Sequence, residues 1–436
     1  MEELAKADNF ENFHTLMDRL TTELPLEITT RRRESQEGTR TTRRFPARSR
    51  NTAREGRRGD ASSRYNPAAA SHIQKLYRTN CSKAMREILD GTSSYCAIQT
   101  ERLYSYFKDV FDREAQTDVR RPECLLPLPL INLTEDLEQD FSPRVVLARL
   151  TRTKNTISGK DGIRYHLLKK RHPSCLVLAA IFNKCKLFHR APRSWKKSMT
   201  VLIHKKGERD DPSNWRPISL CSTIYKLYAS CLAARITDWS MCGGPISSAQ
   251  KGFMSCEGCY EHNFLLQTAI QEARRQCAVA WLNLINAFRS IPHHHIFTTL
   301  GEFGMPETFI QILRDLYKDC TTTICAMDGE TDAIPIRCSV KQGCPLSSII
   351  FNLAMELLIR AVSSGLASFN LHGKRISILA YADDLALVAD SSESLQGMLD
   401  IANRATEWMG LCFNPKSAPP SKSKAVPGLW SGRHGS

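Results

Sequence analysis

Ile378-Leu379-Ala380-Tyr381-Ala382-Asp383-Asp384-Leu385-Ala386-Leu387-Val388 is the stretch on which the fold turns. Two apolar runs, Ile378 to Ala380 and Leu385 to Val388, flank a polar centre, which predicts a β-hairpin with the acids at its tip. Two adjacent aspartates at a tip are costly unless something neutralises them. Hard divalent cations such as Mg²⁺ do so, because carboxylate oxygens are the ligands they prefer. An ordinary polar turn is the competing reading. The apolar flanks and the tyrosine directly before the acids weigh against it.

Four further segments lie upstream. Val340-Lys341-Gln342-Gly343-Cys344-Pro345-Leu346-Ser347 is a glycine turn opening an apolar helix through Ile359. Ala280-Trp281-Leu282-Asn283-Leu284-Ile285-Asn286-Ala287-Phe288 reads as an apolar strand turning into a helix near Ile291-Pro292. Earlier still stand Leu202-Ile203-His204-Lys205-Lys206-Gly207 and Asn214-Trp215-Arg216-Pro217-Ile218. From Thr151 to Pro415, helices and short β-rich runs alternate without a βαβ rhythm, so the expected class is α+β. Five motifs in this order and spacing resemble the palm and fingers motifs of a reverse transcriptase. The likeness is to retrotransposons without long terminal repeats, the LINE type, and especially to their site-specific group. It runs from about Asn66 to Pro415 and is strongest from Asp161 onward.

The resemblance implies a right-hand polymerase with fingers and an antiparallel palm sheet backed by helices. It also implies an RNA-directed DNA polymerase that works on an RNA template, a DNA primer and dNTPs, with two Mg²⁺ ions. Asp383 and Asp384 would bind the metal. Lys205 and Arg216 would grip the triphosphate, the planar guanidinium suiting phosphate oxygens. Gln342 and Gly343 would line the nucleotide pocket. Phe288 stands where the family places an aromatic that blocks a ribose 2′-hydroxyl; a core aromatic is the alternative.

The family's third carboxylate falls at Asn283. An amide oxygen can coordinate Mg²⁺ but brings no charge to hold two dications together, and no acid between Val279 and Pro292 substitutes for it. The expectation is an enzyme by family whose activity is weak or absent. The alternative is a non-catalytic nucleic-acid-binding remnant of a retrotransposon protein. Arg289, Ser339, Ser348 and Lys160 are further departures from the family pattern. Gly410-Leu411-Cys412-Phe413-Asn414-Pro415-Lys416 resembles the next palm motif, although the family's lysine position is Ser417. The resemblance stops there, with no thumb expected.

The rest of the chain divides by composition. Residues 1–30 carry a helical stripe of Phe10, Phe13, Leu16, Met17 and Leu20. Between Arg31 and Arg64 there are twelve arginines against four acids, a net of +8 out of the chain's +15. Almost no apolar residue interrupts them, so disorder is expected for an arm in which Arg31, Arg32, Arg33, Arg43, Arg44, Arg57 and Arg58 would contact nucleic acid. This gives an N-terminal region at 1–64 and a helical lead-in at 65–150, with stripes through Ile73–Leu89 and Leu103–Phe111 and a cap at Ser142-Pro143. The fingers and palm follow at 151–416, then a disordered tail at 417–436. The 16 cysteines lack a framework, and Cys256-x-x-Cys259 has no partner pair at zinc-finger spacing. No run approaches 18 apolar residues and the first nine residues have no signal-like core, so neither a membrane span nor secretion is expected. An intracellular protein is expected, nuclear and/or cytoplasmic.

Overall fold

The computed structural model describes residues 1–21, 74, 96–113, 120–132, 134–205, 207–272, 277–365 and 368–414. The expected arginine arm, most of the Ile73–Leu89 stripe and the C-terminal tail lie outside them.

The hairpin forms as the alternation requires. Strands β8 (Ile378–Tyr381) and β9 (Asp384–Ala389) pair antiparallel, with Tyr381 opposite Asp384 and only Ala382 and Asp383 in the turn. Ala382 takes φ +58, a left-handed conformation that costs a non-glycine residue on the order of 1–3 kcal/mol. On its other side β9 pairs antiparallel with β3 (Ala278–Asn283), giving a three-stranded sheet ordered β3-β9-β8. β9 is buried from Leu385 to Ala389 because Leu385, Leu387 and Ala389 enter one apolar cluster and Ala386 and Val388 another, so both faces are covered and the run is continuously apolar.

A second sheet, ordered β2-β1-β4-β5, is built from β1 (Lys197–His204), β2 (Trp215–Leu220), β4 (Thr321–Ile324) and β5 (Ile334–Pro335). Its β1–β4 pair is parallel and the other two pairs are antiparallel. A small hairpin, β6 (Phe369–Leu371) with β7 (Lys374–Ile376), hydrogen-bonds to neither sheet but packs Phe369 and Leu371 against Val279, Leu379, Ala386 and Val388 of the three-stranded one. Mixed sheets with segregated helices are the α+β class read from the sequence.

The helix Ser347–Ser364 runs through the core with fourteen buried residues. It is the one helix among the described residues long and apolar enough to cross a membrane, yet 78% of it is buried within the protein. Its apolar residues reach all round the helix, as a buried core helix requires. Asn352 and Glu356, polar residues within this helix, are fully buried. Ser222 caps the helix Thr223–Gly243, accepting from Tyr225 N at 3.2 Å, and Gly244 at φ +67 ends it. Ser142 caps Pro143–Arg152 as the sequence predicts.

Residues 10–21 are helical, and Phe10, Phe13 and Met17 enter the same core as the three-stranded sheet. The helix Thr100–Phe111 packs Leu103, Phe107 and Phe111 into a separate cluster with Trp215, Ile324 and Ile334 of the four-stranded sheet. Of the cysteines among the described residues, eight are buried, and all those described are free.

Candidate active site

The sheet register brings the predicted residues together. Asn283, the last residue of β3, lies opposite Asp384, the first of β9, and its Nδ2 donates to Asp384 Oδ1 at 2.7 Å. The segment resembling the next palm motif runs along the end of β3. Ile285 N donates to Cys412 O at 2.8 Å, and Asn414 N to Asn283 O at 2.9 Å. The backbone of residue 283 is therefore fixed from two sides while its side chain stays exposed.

Asp383 occupies the turn. Burial pushes its carboxyl above the usual range and the Asp384 charge adds to this, while its own backbone N–H, Arg216 and Lys205 pull the other way. Both cations come from the second sheet. Arg216 lies in β2 opposite Ile203, and Lys205 follows β1 with its N–H donating to Asn214 O at 2.9 Å. Partial burial lowers the Lys205 pKa, as do the neighbouring Arg289 and Arg216, and Asp383 opposes them. The two sheets thus bring two cations within electrostatic reach of Asp383.

Arg289 belongs to this group, though the sequence marks it only as a departure from a family pattern. It is 2% exposed, and its Nη2 donates to Trp215 O at 3.0 Å. Its Nη1 is buried with no partner among the described residues. Burial lowers its pKa, and a hydrogen bond with Tyr106 opposes the shift.

Phe288 is stacked on Phe351, with ring centroids 4.1 Å apart, and meets Phe253 edge-on at 5.7 Å. It is half-buried, so one side serves the core while part of the ring stays accessible. Gln342 O accepts from Ser219 N at 2.7 Å, which ties the glycine turn to β2. Gly343, at φ +107, packs so close to Ser219 O that a Cβ would stand 2.8 Å from it. The close approach this glycine permits is therefore to β2.

A cleft of about 340 Å³ opens beside Asp384, lined by Asn283, Asp384, Trp281, Tyr381, Cys259 and His262 among others. Two larger clefts, of about 850 and 690 Å³, lie against the N-terminal helix and contain neither hairpin carboxylate. The site is placed by its charges, and cleft size has no part in that placement. Cys259 hydrogen-bonds the Tyr381 hydroxyl and, with Cys256 nearby, raises its pKa.

Asp383 and Asp384 offer the oxygen donors that Mg²⁺ takes. No group of three or more His, Cys, Asp or Glu side chains suited to a metal ion occurs among the described residues, and one Asp384 oxygen already accepts from Asn283. The donors fit a divalent cation held by two carboxylates. They lack the third anionic charge that would hold a second ion close to the first.

With this geometry, residues 203–424 match the model of the family "Reverse transcriptase (RNA-dependent DNA polymerase)". This chain belongs to the reverse transcriptase family. Relatives include Pol polyproteins of the type-1 retrotransposable element R2. The one from Bradysia coprophila is 28% identical over 83% of this chain and 40% of the relative. That of Nasonia vitripennis is 26% identical over 84% and 36%, and that of Popillia japonica 32% identical over 52% and 32%. The chain thus spans well under half the length of these relatives. The resemblance to retrotransposons without long terminal repeats is borne out: this is an RNA-directed DNA polymerase domain of that kind, from a family that uses divalent metal ions.

One segment of the reverse transcriptase domain escaped sequence reading altogether. Residues 247–254 lie against the hairpin turn, and Gln250 hydrogen-bonds the backbone of Ala382. Gln250-Lys251-Gly252 shows neither helical nor strand periodicity, so no local pattern points to it.

Proposed function

We propose that this domain carries the two-metal nucleotidyl transfer of an RNA-templated, DNA-primed polymerase, with a turnover near background because residue 283 is asparagine. The three-stranded sheet is the palm and the four-stranded sheet belongs to the fingers, with the N-terminal region, lead-in and polymerase core divided near residues 64 and 150. Asp383 and Asp384 hold Mg²⁺. A metal held there would supply Lewis-acid activation of the primer 3′-hydroxyl and stabilisation of the leaving oxygen in an in-line displacement. Lys205 and Arg216 hold the triphosphate of the incoming dNTP, Gln342 and Gly343 shape the pocket wall, and Phe288 faces the sugar. The observation that carries this reading is the 2.7 Å contact between residue 283 and Asp384, next to an Asp383 whose carboxyl is within electrostatic reach of Arg216 and Lys205.

Primer extension tests it. Loss of a charged metal ligand costs at least as much as loss of an outer-shell partner, about 10–100-fold. The unmodified chain gives extension at or near background with Mg²⁺ or Mn²⁺, and Asn283→Asp raises it by at least that factor. Robust synthesis by the unmodified chain sinks the assignment of position 283.

A second reading has its own support. Asn283 removes a negative charge and Arg289 adds a positive one, so the cleft carries three cations against two carboxylates. Such a cleft favours phosphate, in the manner of a nucleic-acid-binding protein without catalysis. The arginine arm supplies the same chemistry and suits an intracellular protein acting in the nucleus, the cytoplasm or both. Deleting residues 31–64 should weaken RNA binding and flatten its salt dependence. Unchanged affinity would remove the arm from the reading.

A further inference from the structure

β8 is an edge strand of the three-stranded sheet, and residues 249–251 cover it. Ala380 N donates to Ala249 O and Lys251 N to Ala380 O, each at 2.9 Å, leaving Gln250 bridged in parallel to Ala380. Gln250 is 2% exposed. Its Oε1 accepts from Ala382 N at 2.8 Å and from Gly252 N at 2.9 Å, and its Nε2 donates to Ala382 O at 3.3 Å. Two backbone N–H groups converge on one side-chain atom, which only an acceptor oxygen can satisfy. Both polar backbone atoms of Ala382 are thus held by one carboxamide, at the residue that adopts φ +58 immediately before Asp383.

The strap is itself anchored from behind. Gly252 passes so close to the turn that a Cβ would overlap Ala382 N. Asn352 Nδ2 donates to Gly252 O at 2.7 Å, and Ser247 N donates to Glu356 Oε1 at 3.0 Å. Arg360 holds Glu356 through Nε at 3.2 Å and Pro245 O through Nη2 at 2.8 Å. These three side chains stand one helical turn apart on the core helix, so a rigid element sets where the strap lies.

We infer that Gln250 is a positioning residue for the metal-binding turn: its carboxamide fixes Ala382 in the left-handed conformation and thereby sets the aim of Asp383 relative to Asp384. The consequence for catalysis rests on the polymerase reading above; the effect on the turn does not. A glycine would adopt this backbone unaided, whereas alanine needs an external clamp.

Three readouts on the full chain test the inference. In Gln250→Ala, hydrogen exchange accelerates in the 378–389 peptide beyond any change elsewhere. Mn²⁺ affinity, read by electron paramagnetic resonance, falls by about 10–100-fold, the usual cost of removing a partner behind a metal ligand. Gln250→Glu keeps the acceptor oxygen for both N–H groups and loses the donor, so it recovers part of the protection; it also carries the test if the alanine variant does not fold. In an Asn283→Asp background, Gln250→Ala raises the Mg²⁺ concentration for half-maximal extension more than it lowers the rate at saturating Mg²⁺. Parental exchange at the turn together with parental Mn²⁺ affinity overturns the inference. A lower melting temperature with uniformly faster exchange and unchanged metal dependence also overturns it. If Asn283→Asp is itself inert, the polymerase reading falls, and exchange with Mn²⁺ binding still decides the role of Gln250.

Discussion

Asn283 and an aspartate differ by one atom and one charge, and the register makes that difference matter. Asp384 faces residue 283 directly across the β3–β9 pair, so an amide there donates a hydrogen bond where a carboxylate would repel. Like charges directly opposite in a sheet destabilise it by up to about 1 kcal/mol. Asn283→Asp should therefore melt below the parent in EDTA and recover when Mg²⁺ is added. The parent should respond much less to the metal. Thermal melts with and without Mg²⁺ decide this, and equal responses from the two proteins would mean that position 283 lies outside the metal site. The buried Arg289 adds a cation where Lys205 and Arg216 already repel each other, which makes this cleft more attractive to anions than its carboxylate pair alone suggests.

The core helix Ser347–Ser364 does more than fill volume. One polar stripe on it, Asn352, Glu356 and Arg360, holds the strap that covers β8. Burial raises the Glu356 carboxyl to about 7, with the Ser247 N–H and Arg360 opposing the shift. A carboxyl raised on folding contributes stability below its ordinary pKa of 4.5 and loses that contribution as pH climbs to about 7. The span corresponds to roughly 3 kcal/mol. Glu356→Gln cannot ionise and keeps an acceptor for Ser247 N, so its stability relative to the parent should improve steadily between those pH values. Urea unfolding of both proteins at several pH values measures the difference; a constant gap would show that Glu356 does not titrate in that window.

At the scale of the whole molecule, two buried histidines act with the opposite sign. His293 and His295 open the helix His293–Glu302, and burial lowers each to about 4 even though each meets a backbone carbonyl, of Ser339 and Ala354 respectively. A histidine lowered on folding contributes stability above its ordinary 6.5 and loses it as pH falls toward 4. Each accounts for roughly 3 kcal/mol across that range, so the pair outweighs Glu356. Net stability should fall on acidification from pH 6.5 to 4. Denaturant midpoints that hold steady or rise over that interval would contradict the burial of these side chains. His293 meets Ser339 O and His295 meets Ala354 O of the core helix, so their protonation loosens the packing around that helix.

Local alternation and residue chemistry were enough to read the hairpin, the acids at its tip and the cap at Ser142, because each depends on residues within a few positions of one another; the loss of charge at residue 283 was legible only through the family resemblance. Lys205, Arg216 and Phe288 were named through motif order, and the tertiary structure alone gave them neighbours: one sheet faces the other only after the chain has closed. Gln250, Asn352 and Glu356 could not be read at all. Their strap and turn partners lie at least 100 residues away, with Gln250 and Ala382 132 positions apart, Ser247 and Glu356 109, and Gly252 and Asn352 100. A hydrogen bond across that separation leaves no periodic trace in the sequence, because periodicity records only which face an element buries and not which backbone atom waits on the other side.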